Sequence, residues 1–183
     1  MNIFSLSILM MLLSTASSAW AKGGYIYEHA GDVKVAVAGG TPRAATDSLP
    51  LDDNTIVTTG DRSRAILKFE DGQLVILRSN TSFKINKYDF DIDRAEKSHI
   101  FFSLLKGGLR AVTGLIGDRN KSAFKMSTPG ATIGIRGTDF MLQLEGEAMY
   151  GQVTNGAVAM QTTTGLGLFS AGQSSFMPSP SAA

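Results

Sequence analysis

The chain has 183 residues, a formal net charge of +1 and no cysteine. That charge balance leaves neither a broad basic field for nucleic acid nor an acidic tail. The missing cysteines exclude a lipid-modified cysteine anchor, and a chain of this length forms a stable core without disulfides.

Residues 3–13 form an apolar run too short to span a bilayer, and Ala19-Trp20-Ala21 follows as a small-x-small cleavage motif. This pattern predicts a signal peptide over residues 1–21, cleaved after Ala21, although its n-region, Met1-Asn2, carries only the α-amino charge. No second apolar run approaches membrane length. The mature chain is therefore expected to be exported to the periplasm or secreted, without a transmembrane anchor.

From Lys22 onward, short apolar alternations separated by glycine predict one all-β domain over residues 22–177. The expected architecture is rolled, solenoid-like or a sandwich of short antiparallel strands and hairpins. The pattern Gly-x-apolar-x-apolar recurs at Gly31, Gly72, Gly107 and Gly156, which reads as a glycine turn launching a half-buried strand. The spacings are unequal, so it is not a periodic repeat array. Glu70-Asp71-Gly72-Gln73 reads as a tight hairpin, and Asn155-Gly156 as a second one. Leu74 to Leu77 is apolar at every position, which suggests a strand covered on both faces. Residues 92–105 are the one place where a helical turn is compatible with the composition. The tail, 178–183, is Pro, Ser and Ala and is expected to be disordered.

The chemistry-bearing residues are sparse. His29 and His99 have no metal-ligand spacing to any partner. Asp89, Asp91 and Asp93 alternate as in the start of a calcium loop, but Arg94 and Ile100 stand where that loop needs glycine and glutamate. On a strand, the three aspartates would share a solvated face, with Phe90 and Ile92 inward. Neither a nucleophile elbow nor a phosphate loop is present. Asp52, Asp53, Asp61, Glu70 and Asp71 could supply the carboxylate pair of a polysaccharide-cleaving enzyme, yet they stand in turns and strand ends where carboxylates serve turn chemistry. No catalytic residue, cofactor or metal is assigned.

The stretch from Ser127 to Phe140 is the most distinctive. Thr128-Pro129-Gly130 is a turn. Ile133 and Ile135 then alternate with Gly134 and Arg136, Gly137 interrupts, and Phe140, Leu142 and Leu144 resume the period of two. A glycine inside a strand marks a bulge or a close backbone approach. Gly134, Arg136, Gly137, Thr138 and Asp139 are therefore the candidate structural or contact residues. Arg136 could tie down the carbonyls of the bend and pair with Asp139, or it could contact a partner or an anionic ligand.

This bend, Gly134-Ile135-Arg136-Gly137-Thr138-Asp139-Phe140, resembles the signature of FecR-type domains. Thr58 to Ser63, Ala65 to Gly72, Val153 to Val158 and Ser170 to Gln173 resemble further family elements in the same order, over roughly Gly31 to Gln173. The resemblance implies an all-β periplasmic module that binds or signals. Family members couple an outer-membrane receptor to a cytoplasmic sigma factor through a cytoplasmic segment and a transmembrane helix. Neither part is recognised here, so only the interaction role is expected to carry over, toward an unknown protein or envelope glycan. The alternative is the polysaccharide-active enzyme.

Overall fold

The computed structural model describes residues 23–37, 39–94, 97–119 and 123–179. The predicted signal peptide and the last four residues of the tail lie outside them. The alternating residues become strands wherever one face can be buried. In order these are β1 (Gly24–Ala30), β2 (Val33–Val37), β3 (Arg43–Ala44), β4 (Pro50–Leu51), β5 (Thr55–Thr59), β6 (Arg64–Phe69), β7 (Leu74–Leu77) and β8 (Ser82–Asp89). After them come β9 (His99–Lys106), β10 (Gly108–Val112), the short helix α1 (Leu115–Arg119), β11 (Phe124–Ser127), β12 (Thr132–Glu145), β13 (Ala148–Gln161), β14 (Leu166–Ser170) and β15 (Ser174–Met177).

All the strands join one sheet, which curls over its own core. One arm runs β3-β2-β5-β8-β9-β11 and the other β10-β7-β6-β1-β4, and β12 belongs to both. Its first residues pair with β11 (Met126 opposite Ile133), and its later ones pair with β10 (Ala111 opposite Phe140). The fold is thus a rolled all-β domain, with two features beyond the expected short antiparallel hairpins. β12 and β13 are 14 residues each, and β9 pairs with β11 in parallel.

The two arms meet along an aromatic seam. Phe69 of β6 lies 5.0 Å from Tyr88 of β8 and 5.1 Å from Phe102 of β9, and Phe102 touches Phe83 and Phe124 in turn. Each such ring, taken fully out of water, contributes about 1.5–3 kcal/mol. This seam is what lets a sheet of many short strands close on itself.

Two local expectations are corrected. β7 is not covered on both faces: Val75 and Leu77 are buried, whereas Leu74 and Ile76 are only half-buried. The strand holding Asp89 ends there, and Ile92 points to solvent at 63% exposure rather than inward. Asp91 organises that turn instead, accepting the N–H groups of Asp93 and Arg94 and pairing with the Arg94 guanidinium. Of residues 92–105, those from His99 onward are strand, and the helical turn compatible with the composition lies before it, where the Lys97 N–H donates to the Arg94 carbonyl at 2.8 Å.

Gly31, Gly72, Gly107 and Gly156 all have φ between 75° and 87°. Three of them open strands, as the pattern suggested. The fourth does not: Asn155-Gly156 lies in the middle of β13, and the turn between β12 and β13 is made by Gly146, at φ 60°.

Candidate functional site

The signature residues lie on β12 where it passes from one arm to the other. Upstream, Ile135 faces Val158 of β13; downstream, Phe140 faces Val153. Between them the register slips twice, at Arg136/Asp139 and at Asp139/Phe140. The two slips compensate, so β12 carries an extra residue in the bend and β13 returns one. Such paired bulges re-aim side chains without losing the register on either side.

Gly137 bends the chain with φ 55°. Gly156 backs onto this bend: a β-carbon there would overlap the Gly137 carbonyl oxygen and come within 2.7 Å of the Arg136 oxygen. Thr138, 3% exposed, ties the bend together. Its Oγ1 accepts the Arg136 N–H at 3.1 Å and donates to the Ala157 carbonyl at 2.9 Å. Its backbone N–H donates to Thr113 Oγ1 at 2.8 Å, and its carbonyl accepts the Thr113 N–H. The hydroxyls of Thr138 and Thr113 thus supply the partners that the bulge denies to the ladder.

Asp139 does not pair with Arg136. Arg110 of β10 takes its carboxylate in a two-pronged bond, Nε to Oδ1 at 2.9 Å and an Nη to Oδ2 at 2.6 Å. This guanidinium holds the Asp139 carboxyl below the usual aspartate range. Arg136 is left exposed. Its backbone is bonded, but its guanidinium has no hydrogen-bond or ion-pair partner among the described residues. It therefore does not tie down the bend's carbonyls; Thr138 performs that role.

Gly134 also differs from expectation. A β-carbon there would meet nothing within 4 Å, so no other backbone approaches it. Its missing side chain leaves a hollow on the outer face. Ala159 stands opposite Gly134, and Ala157 opposite Arg136. Around Arg136 the outer face of β12 and β13 is therefore a shelf of small residues beside a guanidinium without a partner among the described residues, whereas Tyr150 stands on that face toward the other end of β13, 4.9 Å from Phe176.

A second cluster reads in the sequence only as a turn. Asp71 of the β6–β7 hairpin is 2% exposed, and Gln73 is fully buried. Tyr88 Oη accepts the Asp71 N–H at 3.0 Å and donates to Asp71 Oδ1 at 3.0 Å. Asp71 Oδ2 and both polar atoms of the Gln73 amide have no hydrogen-bond partner among the described residues. Burial pushes the Asp71 carboxyl above the ordinary aspartate range, and it pushes the Tyr88 phenol up as well. The signal available in the sequence was the Asp-Gly turn, which does not reveal that the turn is buried. Of the other carboxylates considered, Asp53 accepts the Tyr88 N–H and pairs with Lys87, and His29 is bonded to Asp47.

The FecR protein family matches this chain over residues 55–159, from the start of β5 through most of β13, the bend included. The fold is similar to two crystal structures of a candidate anti-sigma factor from Parabacteroides distasonis ATCC 8503, solved at 2.50 and 1.65 Å. The TM-scores are 0.58 and 0.55, at 14% identity in both comparisons. The alignments cover 70% of this chain but only 56% and 57% of those chains. At that identity the likeness is one of fold. No curated protein matches the chain.

Proposed function

Because this chain belongs to the FecR protein family, we propose that it is an exported, non-catalytic binding and signalling module of the bacterial cell envelope. In this reading it resides in the periplasm or outside the cell, reached through the signal peptide of residues 1–21, and engages a partner through the outer face of β12 and β13. The observation that carries this is Arg136, exposed and without a side-chain partner among the described residues, beside a shelf made by Gly134, Ala157 and Ala159. A guanidinium not spent on its own fold is free to make charge-assisted bonds to another molecule. The small residues let a partner's backbone or side chains come close.

An envelope protein fits the shelf around Arg136 better than an envelope glycan, since the exposed rings of that face, Tyr150 and Phe176, stand toward the other end of β13 rather than beside the guanidinium. The enzymatic alternative is less well supported. Asp53 is committed to Tyr88 and Lys87, and Asp71 is buried against Tyr88.

The test is a crosslinking pull-down from envelope extracts with the parent protein and with Arg136→Ala, alongside thermal melts of both. A buried hot-spot arginine is worth about 2 kcal/mol or more at an interface, so the variant should capture at least roughly tenfold less partner while melting as the parent does. Equal capture by the two proteins would refute the Arg136 contact, and a lowered melting temperature would reassign Arg136 to the fold.

A further inference from the structure

We infer that the β14 edge is a self-association site, where two copies of this chain pair antiparallel about a two-fold axis through Gly167. β14 and β15 pair only with β13, which leaves their outer edge without a strand partner among the described residues. Globular proteins protect such edges with charge, proline or bulges. Here no Asp, Glu, Lys, Arg or His occurs after Glu147 in the whole chain. Leu166 and Leu168 of this edge are 61% and 69% exposed.

The hydrogen-bond pattern selects the register. The Gly165 carbonyl accepts the Thr162 N–H, and the Ala171 N–H donates to the Gly156 carbonyl, so the odd-numbered residues of β14 face β13. Leu166, Leu168 and Ser170 therefore turn their backbone groups outward, because neighbours along an antiparallel strand alternate. The Ser170 N–H is already taken by the Gln173 side chain at 2.6 Å, which closes the edge at its junction with β15. Leu166 and Leu168 remain open. Placing Leu166 opposite Leu168 of the second copy, and the reverse, satisfies all four residues at once. Gly167 then faces its own copy with no side chain to obstruct the approach.

The same register brings the four exposed leucines together on the outer face. On the inner face, Gly167 lies against the Phe169 ring beside a groove of about 620 Å³ lined also with Met160 and Met177. A second copy is the occupant that suits this edge because both sides of an isologous contact are identical. An edge without charge meets another without charge, so no ion is desolvated unpaired. The inference goes beyond the partner contact proposed at Arg136 and does not depend on it.

Two measurements on the exported protein test it. In sedimentation equilibrium the parent should associate to a dimer, and Leu168→Lys, at an exposed position, should weaken that association at least about tenfold with its melting temperature unchanged in dilute solution. Arg136→Ala should associate as the parent does. In the second, Gly167→Cys, accommodated by turning aside the Phe169 ring that would lie 2.9 Å from the new β-carbon, should form a disulfide-linked dimer on mild oxidation. The chain has no other cysteine, and a non-hydrogen-bonded antiparallel pair sets the Cα atoms about 4.5 Å apart, within disulfide reach. A parent that stays monomeric as its concentration is raised would overturn the inference. So would a Leu168→Lys protein as dimeric as the parent, or a Gly167→Cys dimer no more abundant than that of a control cysteine at exposed Thr164.

Discussion

Gly156 sits directly behind the carbonyl of Gly137, leaving no room for a β-carbon between β13 and the bend of β12. Two positions 19 residues apart therefore form one structural unit, Gly137 required by its positive φ and Gly156 by the carbonyl behind it.

This contact separates two glycines that otherwise look alike. Gly72 and Gly156 have φ 87° and 75°, but a β-carbon on Gly72 would meet nothing within 4 Å. Gly72→Ala should cost only the left-handed backbone strain, about 1 kcal/mol, whereas Gly156→Ala should add steric overlap and cost about 2–4 kcal/mol. Urea unfolding of both variants checks the order. Equal losses would mean that the Gly156 contact relaxes freely.

Thr138 should be the least replaceable side chain of the bend. Thr138→Val keeps the shape but leaves the Arg136 N–H and the Ala157 carbonyl without their hydroxyl partner, at a cost of about 1–3 kcal/mol. Thr138→Ser retains the hydroxyl and should lose about 1 kcal/mol or less, the share of one methyl group. Denaturation midpoints of the pair decide the point: a valine variant at least as stable as the serine variant would remove Thr138 Oγ1 from its assigned role.

The Arg110–Asp139 pair predicts a pH effect of definite sign. The folded state holds the Asp139 carboxyl below its ordinary value, so the pair's stabilisation is complete above the unfolded aspartate pKa. It is lost as pH falls through the lower folded value. Because Arg110 is half exposed, the effect is modest. Arg110→Gln should remove that acid-side loss, while Arg136→Ala leaves the profile unchanged. Melting temperatures between neutral pH and the acid limb would contradict this if the two variants behaved alike.

Asp71 predicts the opposite slope. Burial raises its folded pKa above the unfolded value, so the folded state binds the proton more tightly. This group's contribution is fully present below the unfolded pKa and declines as pH rises through the folded one. Asp71→Asn stays neutral throughout and should flatten that decline. A companion variant, Gln73→Met, replaces an amide without partners by an apolar chain of similar size and should leave stability unchanged or raise it. A large loss in Gln73→Met would mean that buried water serves the amide.

Much of the local structure was legible in the residues. Ile133, Ile135, Phe140 and Leu142 alternate inward as their spacing suggested, and Asp71-Gly72 closes the β6–β7 hairpin. The four recurrent glycines adopt positive φ. These properties belong to one segment at a time: side-chain period and backbone sterics act within a few residues.

What the tertiary structure decided was each residue's partner. Asn155-Gly156 has the composition of a hairpin turn but serves as a compensating bulge, because β12 lies alongside and supplies the matching irregularity. Asp139 has an arginine three residues away, yet it bonds one 29 positions distant, because β10 lies against its strand and Arg136 points out from a different stretch of the bulge. Asp71 reads as a turn carboxylate and is buried because the two arms of the sheet close over Tyr88. Chain spacing sets which way a residue faces on its own strand. Which strand comes to lie beside it depends on the curl of the whole sheet, and that follows from burying apolar faces drawn from distant parts of the chain.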